Sequence, residues 1–223
     1  MDLNEIFNDC FANTNEINLL QIGANDGQQS DLFRELIIEH KIKSNLLEPI
    51  PDFYNLLIKN YSNNDWVKCH NLAITTEDGE REMKYVPKIE GLPEWTMGLG
   101  TFDDTKNFLG SGKGGYMLNE DYSDSEIYKK VMSEVKTISV KTSTLDSFIK
   151  ENNIKNIDIY ISDTEGFDWI IFNQLDLNIF NPKIICMETH TLGNIENDLI
   201  NDKLTKNGYT IIKQEWDTIA IKK

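Results

Sequence analysis

A chain of 223 residues, of which 39% are hydrophobic, can bury one core, and we expect a single domain over residues 1–223. A net charge of −15 with only two arginines disfavours nucleic-acid partners, which need a basic surface, and it favours a neutral or cationic small substrate unless it serves solubility alone. The three cysteines are scattered and no signal-like or membrane-spanning apolar run is evident, so we expect a cytoplasmic location.

Apolar spacing predicts alternating strands and helices in the first third of the chain. A short amphipathic helix is expected first, followed by a strand that ends before a glycine-containing turn. The predicted elements are a helix at 2–13, a strand at 17–22, a helix at 29–41, a short strand ending at Glu48, a helix at 52–61, a strand at 65–75 and an extra strand at 81–86.

The regular pattern lapses in a glycine-rich insert at about 87–136. This segment contains seven of the 13 glycines and two of the five prolines, so we expect it to be mostly loop, closed by a helix near 125–135. Its position within an otherwise regular chain favours a role in binding the substrate, as the acceptor site, or as a lid over that site.

Alternation returns after the insert. The predicted elements are a strand near 137–142, the helix LDSFIKEN, a strand ending at Asp163, the helix GFDWIIFNQL, the strand KIICMETH, a helix near 195–207 and two closing strands at 209–214 and 217–222. This order predicts an α/β fold with a mostly parallel sheet, helices on both faces and an antiparallel C-terminal hairpin. Ligands of such sheets bind beyond the carboxyl ends of the strands.

The turn after the first strand indicates which cofactor the protein uses. It reads Gly23, Ala24, Asn25, Asp26 and Gly27, with asparagine in place of the middle glycine of the nicotinamide fingerprint. The backbone of this turn is therefore poorly suited to bind a pyrophosphate. S-adenosylmethionine has no phosphate, and the polar side chains of the turn suit its charged amino-acid end.

Residues after the second and third strands extend the predicted cofactor site. The carboxylate of Glu48, followed by Pro49, suits hydrogen bonds from both ribose hydroxyls. Leu72 and Ala73 lie where an adenine edge is expected. A solvated strand-end acid and plain sheet packing are the alternative interpretations of these residues.

Four stretches in this order resemble the FkbM-type S-adenosylmethionine-dependent methyltransferases. They are IGANDG, LLEPIPDFY, TLDSFI with IDIYISDTEG, and METH, between about residues 18 and 190. The resemblance implies a class I methyltransferase (Rossmann-like) sheet of seven strands and O-methylation of sugars and natural products. Thr164 and Ser162 depart from the residues common in the family, and the insert is poorly matched.

Methyl transfer to an alcohol requires removal of the hydroxyl proton, and polar residues at the strand ends are candidates for this role. Asp163, Glu188 and His190 are the expected catalytic residues, and the resemblance places Asp163 near the methionine end of the cofactor. The same three side chains form a possible Mg²⁺ or Mn²⁺ site. A structural role remains the alternative for each, and the nearby Glu165 and Asp168 are expected to lie in the first turn of a helix, where acids interact favourably with the helix dipole.

Aromatic residues of the insert suggest where an acceptor binds. Trp95 and Phe102 would stack on a sugar ring, unless they only pack the loop. We therefore expect an S-adenosylmethionine-dependent O-methyltransferase that acts on a carbohydrate or other small-molecule hydroxyl. An NAD(P)-dependent oxidoreductase on a similar sheet and a non-catalytic interaction module are the alternatives, and cofactor binding would separate them.

Overall fold

The computed structural model describes residues 3–28, 33–92, 96, 99–102, 126–214 and 216–222. Within these ranges strands and helices alternate, as the sequence predicts. The helices are α1 (Leu3–Phe11), α2 (Arg34–Glu39), α3 (Pro51–Asn60), α4 (Glu126–Glu134), α5 (Leu145–Glu151), α6 (Asp168–Phe172) and α7 (Asn194–Lys206). The strands are β1 (Asn18–Ile22), β2 (Lys43–Leu47), β3 (Val67–His70), β4 (Ala73–Ile74), β5 (Gly79–Tyr85), β6 (Gly100–Thr101), β7 (Lys136–Ser143), β8 (Ile159–Ser162), β9 (Ile184–Glu188), β10 (Thr210–Lys213) and β11 (Asp217–Ile221).

The main sheet has seven strands in the order β3-β2-β1-β8-β9-β11-β10. Strands β3, β2, β1, β8 and β9 run parallel, whereas β11 pairs antiparallel with both β9 and β10. The predicted α/β fold and its antiparallel C-terminal hairpin are therefore confirmed. The strand order reverses between β1 and β8, and this switch point is where such sheets bind ligands.

A second sheet has four strands in the order β4-β7-β5-β6. It corrects two predictions. The strand predicted at 65–75 divides into β3 in the main sheet and β4 in the second sheet. The strand predicted at 137–142 is β7, which pairs antiparallel with β5 and parallel with β4. Periodicity identified both segments as strands, but it does not tell which partner a strand takes.

Apolar side chains cover both faces of the main sheet, as a buried parallel sheet requires. One cluster, with Phe148, joins α5, α6 and α7 to one face, and another, with Phe7, joins α1, α2 and α3 to the other face. A third cluster packs Phe53 of α3 against Met83 and Tyr85 of the second sheet. Since α3 begins just after β2, this cluster holds the second sheet beside the carboxyl edge of the main sheet.

Two predicted segments differ in extent from what the structure describes. The helix predicted at 29–41 is α2, which begins at Arg34, and residues 29–32 lie outside the described residues. Within the insert at 87–136, the structure describes β6 and α4, and residues 103–125 lie outside the described ranges. None of the helices described here is long and apolar enough to cross a membrane.

Candidate functional site

Backbone hydrogen bonds tie the carboxyl ends of four strands into one edge. The amide of Gly23, after β1, donates to the carbonyl of the last residue of β2 at 3.0 Å. The amide of Glu48 donates to the last carbonyl of β3, and that of Asp163 to the last carbonyl of β1, each at 3.0 Å. Three residues that are distant in the sequence are thereby held side by side.

The turn after β1 needs glycine for a packing reason. Gly23 has a φ of +82°, and an added Cβ would lie 1.8 Å from the carbonyl oxygen of Asp163. Gly27 has a φ of +68°, and an added Cβ there would lie 2.6 Å from the Leu57 side chain. Both glycines therefore let the turn approach neighbouring elements of the protein. Asn25 has a φ of +48°, a conformation that asparagine tolerates better than most residues.

We expect Gly23→Ala to destabilise the protein more than Gly208→Ala does. The two glycines have similar φ values of +82° and +79°, but the nearest atom to an added Cβ at Gly208 is 3.9 Å away. The comparison isolates the contact with Asp163, which should cost about 1–3 kcal/mol of the free energy of unfolding, the scale of overpacking. Urea unfolding measures both losses, and equal losses would contradict the packing role.

Two backbone amides fix the carboxylate of Glu48. Its Oε2 accepts the Asn25 N–H at 2.9 Å, and its Oε1 accepts the Ile50 N–H at 2.8 Å. The side-chain amide of Asn71 donates to the carbonyl oxygens of Glu48 and Pro49, both at 2.9 Å. The Glu48 residue is only 5% exposed. The carboxylate therefore has one defined orientation before any ligand binds.

Burial raises the pKa of Glu48 to about 7, and repulsion from Asp26 adds to the increase. The hydrogen bonds from the Ile50 and Asn25 amides oppose it. Glu48 therefore exchanges its proton near neutral pH in the empty site. A ligand that donates hydrogen bonds to this group favours its ionised form and lowers its pKa.

Asp163 lies directly after β8, and its side chain is exposed beyond the sheet edge. Desolvation by the surrounding protein raises the pKa of Asp163 to about 7, and repulsion from Asp168, Asp217 and Glu48 adds to the increase. Asp168 is fully buried, and it accepts the Thr164 N–H at 3.3 Å across the turn that follows β8. A carboxylate with this pKa is suited to accept a proton near neutral pH.

A cleft of about 530 Å³, including space open to solvent, lies at this edge. Six sequence-predicted residues line the cleft: Gly23, Glu48, Pro49 and Asp163 follow strands of the main sheet, and Leu72 and Ala73 lie at the start of β4 in the second sheet. The structure thus brings most of the predicted cofactor residues to one concave surface, and the rest of the predicted turn continues beside them.

One of the two predicted aromatic residues also lines the cleft. Phe102 follows β6, and its ring meets the ring of Phe167 edge-on, with a centroid distance of 5.5 Å. Phe167 lies in the turn between β8 and α6, so this pair connects the second sheet to the main sheet. Trp95, the other predicted residue, lies outside the described residues.

Glu188 ends β9 next to Asp163 in the register of β8 and β9, but neither Glu188 nor His190 lines the cleft. Glu188 is 2% exposed, and its Oε2 accepts the hydroxyl of Thr191 at 3.1 Å. His190 is exposed, stacks on Trp216 at 4.6 Å, and lines a separate depression beside α7. In the part of the chain that the structure describes, no group of three or more His, Cys, Asp or Glu side chains is arranged to hold a metal ion. The predicted Mg²⁺ or Mn²⁺ site of Asp163, Glu188 and His190 is therefore wrong in its geometry.

Sequence reasoning missed the wall that the second sheet provides. Met83 of β5 and Thr101 of β6 line the cleft from the second sheet, and Phe167 lines it from the turn after β8. The sequence did contain a signal for Met83, since apolar and charged residues alternate in REMKYV and Met83 shares a face with Tyr85. The position of that face over the cleft depends on pairings between distant segments.

The fold and the site together define a class of protein. A parallel sheet with its penultimate position filled by an antiparallel strand, and a cleft at the carboxyl edge with an acid after β2, is the class I methyltransferase arrangement. The family model described as Methyltransferase FkbM domain matches residues 21–211, and the chain belongs to that family. No curated protein matches the chain.

One solved structure of an FkbM methyltransferase is similar in fold. Methyltransferase FkbM from Methylobacillus flagellatus KT is 12% identical with a TM-score of 0.52, over 92% of this chain and 43% of that chain. The present chain therefore spans less than half the length of that protein. The METTL16 MTase domain is 10% identical over 98% of this chain and 65% of that chain, with a TM-score of 0.48. Precorrin-6y C5,15-methyltransferase from Geobacter metallireducens GS-15 is 9% identical over 99% of this chain and 88% of that chain, with a TM-score of 0.44.

Proposed function

We propose that this protein transfers a methyl group from S-adenosylmethionine to a hydroxyl group of a sugar, a glycan or another small molecule. The observation that carries the proposal is that Glu48 and Asp163, an anchored acid and an exposed acid, line the same cleft. Glu48 is held in a geometry suited to bind a ribose, and the raised pKa of Asp163 suits a general base.

The cofactor would lie along the carboxyl edge of the main sheet. Each oxygen of Glu48 already accepts one backbone amide and keeps a further lone pair for a ribose hydroxyl. Pro49, Leu72 and Ala73 offer an apolar surface to the adenine ring. The acidic surroundings of Asp163 favour the positively charged methionine end. The residues present therefore fit the cofactor that the family implies.

The cofactor supplies an activated methyl group, so the protein must orient the acceptor and remove one proton. In our proposal the acceptor hydroxyl donates its proton to a carboxylate oxygen of Asp163 as the new O–CH₃ bond forms. Glu188 at the end of the neighbouring strand and His190, two residues beyond that end, are the alternative bases, and neither assignment requires a metal ion.

The second sheet would form the acceptor wall. Phe102 and Phe167 present aromatic surface to the cleft, which suits a sugar ring, and Trp95 of the same insert is a further candidate. The net charge of −15 supports a small-molecule acceptor over nucleic acid. We propose that the insert at 87–136 belongs to one catalytic domain and that the protein acts in the cytoplasm.

Calorimetry with S-adenosylmethionine, followed by a radiolabelled methyl-transfer assay on a panel of sugars and small alcohols, tests this function. We expect one-to-one cofactor binding, no binding of NADPH, and a methyl ether in the product that mass spectrometry detects. Binding of NADPH in place of S-adenosylmethionine would favour the oxidoreductase. Cofactor binding without transfer to any acceptor of the panel would favour the non-catalytic module.

A further inference from the structure

Arg81 is a charged residue on the inward face of the second sheet. It lies on β5, two residues before Met83 and four before Tyr85, and side chains at this spacing share one face of a strand. Met83 and Tyr85 are buried against α3, and Met83 lines the cleft. Arg81 therefore extends the cleft-facing row of β5 toward the edge of the cleft.

Two aromatic rings of the cleft wall hold the Arg81 guanidinium. Its central carbon lies 5.0 Å from the centre of the Phe102 ring and 5.9 Å from that of Phe167. A guanidinium over aromatic faces is positioned through its plane, and its N–H groups at the rim stay available for hydrogen bonds. The charge is thus fixed beside the proposed acceptor wall.

The other arginine of the chain shows what a structural role looks like. Arg34 donates to the carbonyl oxygens of Gly27 and Asn60, at 2.6 and 3.2 Å, and its guanidinium packs over Tyr61. Within the described ranges, Arg81 makes ring contacts but no hydrogen bond or ion pair. Its planar set of donors therefore lacks the acceptors that Arg34 has.

We propose that Arg81 binds an oxyanion, a carboxylate or a phosphate, on the methyl acceptor. This inference rests on the proposed function and deepens it, since the acceptor becomes an anionic hydroxyl compound such as a uronic acid or a sugar phosphate. Arginine matches both groups through two parallel hydrogen bonds. On a protein with a net charge of −15, an anionic acceptor needs such a cation at the cleft.

Nitrogen-15 labelling of arginine tests the site directly, because the chain has only Arg34 and Arg81. The protein is titrated with inorganic phosphate and, separately, with glucuronate and its uncharged counterpart glucose, both free and saturated with S-adenosylhomocysteine. We expect a saturable shift of the Arg81 Nε–H resonance with an anion in both states, and none for Arg34 or with glucose. A larger response to phosphate indicates a phosphorylated acceptor, and a larger response to glucuronate indicates a carboxylate.

Arg81→Gln is the matched variant. It should lower anion affinity about tenfold or more, since one charged pair is lost, and leave the affinity for S-adenosylhomocysteine unchanged. The proposal is overturned if no anion shifts Arg81, or if S-adenosylhomocysteine displaces the anion, since Arg81 would then belong to the cofactor site. Failure of S-adenosylhomocysteine to bind the wild-type protein would instead contradict the proposed function.

Discussion

Glu48→Ala should weaken S-adenosylmethionine binding by about 10- to 150-fold at about pH 8, where Glu48 is ionised. Hydrogen bonds to a charged group contribute about 1.5–3 kcal/mol, and about 1.4 kcal/mol corresponds to a factor of ten in affinity. The variant also leaves the Asn25 and Ile50 amides without their carboxylate acceptor, so the turn loses its anchor. Calorimetry measures the loss. Glu80→Ala, an exposed glutamate of β5, is the matched control and should bind as wild type does.

The pH dependence of the affinity for S-adenosylmethionine tests whether Glu48 is the group that binds the ribose. The pKa of Glu48 in the empty site is raised to about 7. Ribose hydroxyls donate to the carboxylate, so binding favours the ionised form and releases a proton where Glu48 was protonated. Wild-type affinity should therefore fall as the pH drops below 7, and the deficit of Glu48→Ala should shrink. Equal affinity of the variant and wild type above pH 7 would remove Glu48 from the ribose site.

Asp163→Asn should lower the turnover number by about 10²–10⁴-fold while cofactor affinity stays close to that of wild type. This is the usual loss when a general base is removed, because an amide cannot accept the proton of the alcohol. The substitution keeps the size of the side chain and the hydrogen bond from the backbone amide of residue 163 to the last carbonyl of β1. Asp202→Asn on α7, where the aspartate side chain is 71% exposed, is the control and should leave turnover unchanged.

The rate profile of the wild type should have an acid limb that Asp163→Asn lacks. The base works only when deprotonated, and the pKa of Asp163 is about 7 in the ligand-free protein, so at saturating S-adenosylmethionine, where Glu48 stays ionised, turnover should rise with pH over an acid limb. The positive charge of the bound cofactor should lower this pKa and move the limb of kcat to lower pH. A loss of turnover in His190→Ala, with full turnover in Asp163→Asn, would make His190, in the loop after β9, the base instead.

Features that depend on neighbouring residues could be predicted from the sequence. The apolar runs of β1, β8 and β9 identify buried strands, and the residue that follows each strand must lie at the carboxyl edge. The sequence alone therefore predicts that Gly23, Glu48 and Asp163 lie on one surface. This prediction succeeded because parallel strands bring their carboxyl ends together whatever the loops do.

Features that depend on distant pairings could not be predicted in the same way. Nothing local distinguishes β7, which joins the second sheet, from a strand of the main sheet. Strand alternation put Glu188 and His190 on one side, but the chain leaves β9 just after Glu188, and His190 turns toward α7. The relation of Arg81 to Phe167 crosses from one sheet to the other, so only the assembled structure reveals it.

The short strand β4 has a consequence for how this scaffold changes over evolution. β4 pairs parallel with the end of β7, with Ala73 opposite Thr142 and Ile74 opposite Ser143. The chain therefore enters the second sheet at β4 and leaves it after β7 at adjacent points, and everything between 75 and 141 can be exchanged as one cassette. Insertions at such closely spaced ends cost little loop-closure entropy. The acceptor wall can be replaced wholesale while the acids after β2 and β8 keep their positions, so one donor site can be coupled to many acceptors.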